Sequence, residues 1–178
     1  ISGLTGESGI FNCIGKTGVV KNLIVDADIS SNGNIGIISN IAGGTIENCV
    51  ALGKVSTTSN SAPAGGILGN GLTGSKIAGC ANLAEVACKA SSSLFSSNSA
   101  VGGIVGYTYG TVENCYSTGS VSSTIRTHSS AGGVGGLVGA VNGNGMVKNS
   151  YAAGTVSCAS TTLGAFAGKN EGTIAQSY

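Results

Sequence analysis

The chain has no tryptophan, one proline, one histidine and few charges: Asp, Glu, Lys and Arg together make up 8% of its 178 residues. Each scarcity closes off a class. With so little proline and no strict glycine at every third position, the 32 glycines cannot be those of a collagen. With 41% hydrophobic residues and a net charge of +1, the chain is too apolar and too nearly neutral for intrinsic disorder. The same neutrality removes the concentrated basic surface that nucleic-acid binding needs. No apolar run approaches the ~20 residues of a membrane helix, because glycine and serine interrupt them all. Neither nucleic acid nor membrane insertion is therefore expected. The length suits one domain, residues 1–178, at ~100–200 residues per domain. The first residue is Ile1 rather than methionine, which reads as a removed leader or a fragment.

What the chain does have is an internal repeat. Copies begin at Gly18 (GVVKNLIVDADI), Gly44 (GTIENCVALGKV), Gly110 (GTVENCYSTGSV), Gly145 (GMVKNSYAAGTV) and Gly172 (GTIAQSY), with a looser one at Ser75 (SKIAGCANLAEV). Glycine-rich lead-ins precede most of them: GGILGN from Gly65, GGIVGY from Gly102, GGLVGA from Gly135 and GAFAGK from Gly164. One column reads Asn22, Asn48, Gly79, Asn114, Asn149, Gln176, at spacings of 26, 31, 35, 35 and 27. The variation in length is assigned to one place, between the final valine of a copy and the next lead-in. The short β-branched runs broken by glycine or asparagine read as strands, and no window holds a helical period. A two- or three-strand unit cannot bury a face alone, but it can by stacking on its copies. The expected fold is all-β, a parallel β-solenoid of about six coils.

The charges test this register. One column reads Lys21, Glu47, Ala78, Glu113, Lys148, Ala175, and another Asp28, Lys54, Glu85, Ser120, Thr155. Neighbours in a stack lie ~4.8 Å apart, and neither column places like charges side by side, as cross-strand electrostatics requires. Both columns should face solvent. Their neighbours, Val20/Ile46/Ile77/Val112/Val147/Ile174 and Ile29/Val55/Val86/Val121/Val156, should form the core. The asparagines should turn the chain in the left-handed conformation and bond one another as a ladder of amides. Gly53, Gly119 and Gly154 are expected at a second corner. Cys49, Cys80 and Cys115 share a column with Leu23, Ser150 and Ser177, and Cys88 and Cys158 share another. In-register Cβ atoms point the same way, which disfavours disulfides, so these read as buried thiols acting as small apolar fillers.

The run GGIVGYTYGTVENCYSTGSV, from Gly102 to Val121, resembles the GLUG motif, a short repeat named for a Gly-Leu-(any)-Gly core. GGLVGAVNGNGMVKNSYAAGTV, from Gly135 to Val156, is similar. The likeness covers most of residues 35–178 and, more loosely, 9–34. The chain departs from the pattern at Gly79, in the first coil and in its cysteines. GLUG repeats occur in large bacterial surface and secreted proteins, including adhesin-like chains and non-catalytic parts of immunoglobulin A peptidases. The resemblance therefore implies an extracellular or cell-surface, bacterial, non-catalytic scaffold or adhesive element, with no catalytic residue to carry over.

Other motifs fall short of chemistry. Gly15-Lys16-Thr17 lacks the glycine that a phosphate loop needs four intervening residues ahead, where Ile10 stands, and Gly69–Gly74 matches a dinucleotide fingerprint without a following helix. Asp26-Ala27-Asp28 begins like a calcium loop, but its sixth and twelfth positions are Ser31 and Ile37. The lone His128, in a Ser/Thr-rich insertion, has no nucleophile and acid to serve, and no Cys-x-x-Cys spacing offers a zinc site. No catalytic residue, metal ligand or cofactor is assigned. The expected partners are further copies, stacked head to tail, or a host or cell-surface ligand. A carbohydrate-binding module is the competing reading. It would use the insertions 56–64, 87–101 and 122–132, with Phe95, Lys89, Arg126 and His128 as contacts.

Overall fold

The computed structural model describes residues 1–90, 99–125, 132–159 and 162–178. Every described element is a strand or turn, every strand pairing is parallel, and the coils stack in four sheets. No helix there is long and apolar enough to cross a membrane. Following one coil, the first sheet holds two-residue strands such as Val101–Gly102. The second holds strands such as Val105–Thr108, and the third strands such as Thr111–Glu113. The fourth runs unbroken in Ile24–Ser31 and Val50–Thr57, then splits in later coils into pairs such as Tyr116–Ser117 and Val121–Ser123.

The solenoid makes about five turns rather than six. The first coil has no strand in the first sheet, and the last copy supplies Thr173–Ala175 without a closing strand in the fourth. Most length differences fall between the fourth and first sheets, as expected. The turn between second and third sheets also varies, running from Gly71 to Lys76 and Val141 to Met146 against Thr108 to Thr111. Gly74 and Gly143 supply the positive φ, +87° and +50°, in the two longer turns.

Both charge columns and both apolar columns stand in the expected register: Lys21 beside Glu47, Glu113 beside Lys148, Asp28 beside Lys54, Lys54 beside Glu85. Ile46, Ile77, Val112 and Val147 are buried, as are Ile29, Val55, Val86 and Val121. The terminal members Val20, Val156 and Ile174 are half-buried, because one side of each lacks a covering coil. The ion pairs differ in detail. Glu113 holds Lys148 at 3.0 Å and also Lys76 at 2.7 Å, since Ala78 leaves that side of it open to the diagonal neighbour. Lys76 and then Lys148 hold the Glu113 carboxyl below its ordinary pKa. Lys21 and Glu47 are neighbours without an ion pair among the described residues.

A third part of the core comes from the lead-ins. Ile38, Ile67, Ile104 and Leu137 lie in one column at the bend between first and second sheets, all fully buried, with Phe166 at its end. Leu68, Val105 and Val138 form the next column. The bend is possible only because glycines flank these pairs. A Cβ on Gly102 would lie 2.5 Å from the Gly139 nitrogen, and one on Gly139 would lie 2.5 Å from the Val101 nitrogen. The two sheets therefore touch backbone to backbone, and each bend drives two aliphatic side chains inward, each worth ~1.5–3 kcal/mol on burial. Asn40 stands where later coils have Gly69 and Gly106. It fits because the preceding segment is a loop, and its amide donates to Ser8 Oγ and Asn12 Oδ1, both at 3.1 Å.

Gly139→Ala is expected to lower unfolding free energy by ~3 kcal/mol or more, since backbone on both sides cannot yield. Gly15→Ala, with open space around its Cβ position, should change it by less than ~0.5 kcal/mol. Urea titrations followed by circular dichroism compare the two; equal losses would remove the backbone-contact account.

Candidate functional site

The corner between third and fourth sheets carries a ladder of polar contacts. Asn22, Asn48, Asn114, Asn149 and Gln176 all adopt positive φ, from 49° to 59°, and Gly79 adopts 61°. The corner is thus turned by the predicted column. The amide ladder is not formed: among the described residues no hydrogen bond joins these side chains to one another. The ladder is one residue further on. The Cys49 N–H donates to Cys80 Sγ, and the Cys80 N–H to Cys115 Sγ, each at 3.4 Å. The Cys115 N–H donates to Ser150 Oγ at 3.1 Å, and the Ser150 N–H to Ser177 Oγ at 3.3 Å. Each side chain donates in turn to the carbonyl two residues back, Glu47, Ala78, Glu113, Lys148 or Ala175. The left-handed residue turns that carbonyl toward the thiol or hydroxyl, and the buried N–H finds its acceptor in the next coil.

The six cysteines are free thiols. Those of the column are not the apolar fillers expected: serine takes their place because it makes the same bonds. The second column, Thr57, Cys88, Ser123, Cys158, stands in register as expected. Contact with the Cys80 thiol, then burial, pushes Cys49 far above the ordinary thiol range. Contact with Cys115 pushes Cys80 up to about 12. Burial lifts Cys88. Cys115 shifts downward through its hydrogen bond with Cys80, but at 2% exposure it is sealed from reagents. Access rather than ionisation therefore governs its reactivity.

The second glycine corner needs correction. Only Gly53 has positive φ, 91°, and the strand Val50–Thr57 runs straight through it. Gly119 and Gly154 have ordinary φ. A Cβ on either would meet main chain of the preceding coil, Ala84 for Gly119 and Gly119 for Gly154.

The discounted motifs stay apart. Gly15-Lys16-Thr17 is a turn between two strands, and Asp26 and Asp28 are exposed side by side on Ile24–Ser31. No three His, Cys, Asp or Glu side chains gather for a metal among the described residues. Lys89 lies at a shallow depression with Asp28, Lys54 and Glu85. Phe95, Arg126 and His128 lie outside the described residues.

Two tyrosine groups mark the surface. Tyr116 stacks on Tyr151 at 5.2 Å and 6°, and Tyr151 on Tyr178 at 5.7 Å and 11°. Their matching positions in the repeat were a visible sign. On the second sheet Tyr107 meets Tyr109 edge to face at 5.3 Å, with hydroxyls 3.4 Å apart. These two rings, with Asn34, Ser61, Pro63 and Asn70, line a depression of about 300 Å³.

Coils in strict register, a core of stacked side chains and polar corner ladders define a parallel β-solenoid repeat scaffold. Two of its repeats are similar to a known motif: the family model described as the GLUG motif matches residues 97–122 and 130–157. No curated protein and no solved structure matches the chain. In the matched segments the motif's glycines are the bend glycines, and the aliphatic residues between them are the buried pairs.

Mild alkylation of the native protein should label Cys13 first and Cys158 more slowly, leaving Cys49, Cys80, Cys88 and Cys115 unlabelled until denaturant is added. Peptide mass spectrometry reads the order, and rapid labelling of the column would contradict the sealed corner. Cys80→Ser should cost under ~1 kcal/mol, whereas Cys80→Val strands the buried Cys49 N–H and should cost ~1–3 kcal/mol. Thermal melts of the two variants make the comparison.

Proposed function

We propose that the chain is a non-catalytic structural scaffold of a bacterial surface or secreted protein, which lengthens by adding coils end to end. The observation that carries this is the register of its two open faces. The Ile1 amine donates to the Ile24 carbonyl and Ile1 accepts from the Asp26 N–H, both at 2.9 Å, so Ile1 lies opposite Val25. The Tyr178 N–H donates to Ser150 and Tyr178 accepts from Ala152, at 3.1 and 2.9 Å, so Tyr178 lies opposite Tyr151. The Tyr151 column runs back through Tyr116, Ala81 and Val50 to Ile24. Tyr178 and Ile1 thus occupy consecutive register positions, one at each open face. Residues 1–6 of a second copy, or a further stretch of similar repeat, continue the strand that Tyr178 begins. Ser2 and Gly3 together oppose Asp26 before Leu4 pairs with Ala27, a one-residue bulge with Gly3 at φ +74°. Ile24 is 62% exposed and Tyr178 82%, so both faces offer apolar surface beside unpaired strand edges. The contact is heterologous, and repeated without closure it generates a fibre. The extracellular setting rests on the GLUG resemblance.

Negative-stain electron microscopy of purified residues 1–178 tests the stacking. Fibres are expected, and their loss on deleting residues 1–6. Monodisperse particles at high concentration would overturn end-to-end assembly.

A further inference from the structure

We infer that the depression beside Tyr107 and Tyr109 is a binding site for a neutral sugar ring. The inference stands apart from end-to-end stacking and depends on nothing at either open face.

The solenoid itself does not require these tyrosines. The outward column of the second sheet reads Cys13, Ile41, Asn70, Tyr107, Ala140, Lys169, so side chains from alanine to lysine serve there equally. Tyr109 is 40% exposed, although an aromatic ring of its size is ordinarily mostly buried. The two rings meet edge to face, leaving ring surface turned to the depression they line.

The part of the lining that carries Ser61 and Pro63 is held in place. Ser59 Oγ accepts from the N–H groups of Ser61 and Ala62, both at 3.1 Å, and lies 3.2 Å from Ser61 Oγ. The Cys88 thiol donates to the Ser59 carbonyl at 3.4 Å. Pro63, the chain's one proline, accepts the Ile35 N–H at 3.1 Å. Ser61 and Pro63 are therefore fixed before any ligand arrives, which limits the ordering cost of binding.

Asn70 lines the depression beside Tyr107. Its Oδ1 is shielded from solvent and accepts no hydrogen bond from the protein, though an amide oxygen has two lone pairs to fill. The site contains an acceptor in need of a donor, further amide and hydroxyl groups, and two aromatic rings. Among the described residues lining it there is no cation or carboxylate. The nearest cation in the Tyr107 column, Lys169, is engaged by Glu171 at 2.8 Å. Phosphate, sulfate and sialic acid lack a counter-charge here, and an apolar ligand would leave the amides unmet. A pyranose fits both halves: its C–H face packs on a tyrosine ring, and its hydroxyls donate to Asn70 and exchange bonds with Ser61 and Asn34. The volume, about 300 Å³, is at the small end of ligand sites, ~300–1,000 Å³, and suits one or two sugar rings.

The test is an array of neutral, sialylated and sulfated glycans with a proline-rich peptide as a control, probed with labelled wild-type chain, Tyr109→Ala, Asn70→Ala and Tyr151→Ala. Wild type should retain neutral glycans. Tyr109→Ala and Asn70→Ala should each lose at least tenfold in signal, and Tyr151→Ala, on another sheet, should bind as wild type. Melting curves identify any unfolded variant; Tyr109→Phe, which keeps the ring, should retain binding and stands in for a Tyr109→Ala that fails to fold. Signal from charged glycans alone, from the peptide alone, from none of the probes, or equal signal in all variants would overturn the proposal.

Discussion

A single spacing constrains this molecule: each residue lies one strand separation, ~4.8 Å, from its equivalent in the coils on either side. Like charges are disfavoured side by side in a column, and a buried column takes apolar side chains or small polar ones that find a hydrogen bond, as Ser39 does with the Ile41 carbonyl. A corner, once turned, must be turned at the same position in every coil. The core stacks from Ile46 to Val147 and from Ile29 to Val121 meet this condition with β-branched side chains. The charge columns meet it with alternation or with a neutral spacer such as Ala78.

The bends impose the second condition. Where first and second sheets fold back on each other, main chain meets main chain and glycine fits, with Asn40 tolerated only where a loop replaces the preceding segment. At the corner into the fourth sheet, the left-handed asparagine leaves a buried N–H facing the next coil. A thiol or hydroxyl there accepts that N–H and donates to its own chain. Cys80, Cys115 and Ser150 are interchangeable in this role because it asks for a small side chain that both donates and accepts, with no need for redox chemistry.

The two candidate functional surfaces differ in kind. The open faces follow from the repeat itself, since any coil can be followed by another, and their matching register is a property of the stack. The tyrosine groove is a local departure from the repeat, built where a serine-rich insertion folds back against one coil. A scaffold of this kind can carry such departures at little cost, because outward positions are constrained only by charge and size.

Much of the fold was legible in the residues because, in a parallel solenoid, an alignment column is a physical stack. Aligning Gly44 with Gly110 and Gly145 already placed Glu113 beside Lys148 and Val112 beside Val147. The asparagine corner was legible for the same reason, as φ preference is local. Three things depended on tertiary structure. The core role of Ile67, Ile104 and Leu137 was hidden, because the glycines around them speak of close approach without saying to what. The bonding of the thiols was hidden, since a cysteine reads equally as filler or as donor until the carbonyl two residues back is seen turned toward it. The groove was hidden most completely. Asn70 and Tyr107 belong to different coils, and Ser61 and Pro63 to a segment that does not repeat. Sequence alone determined which residues stack on which, through the fixed spacing of parallel strands; only the folded chain decided which non-equivalent residues meet across a bend, because that depends on where each insertion comes to rest.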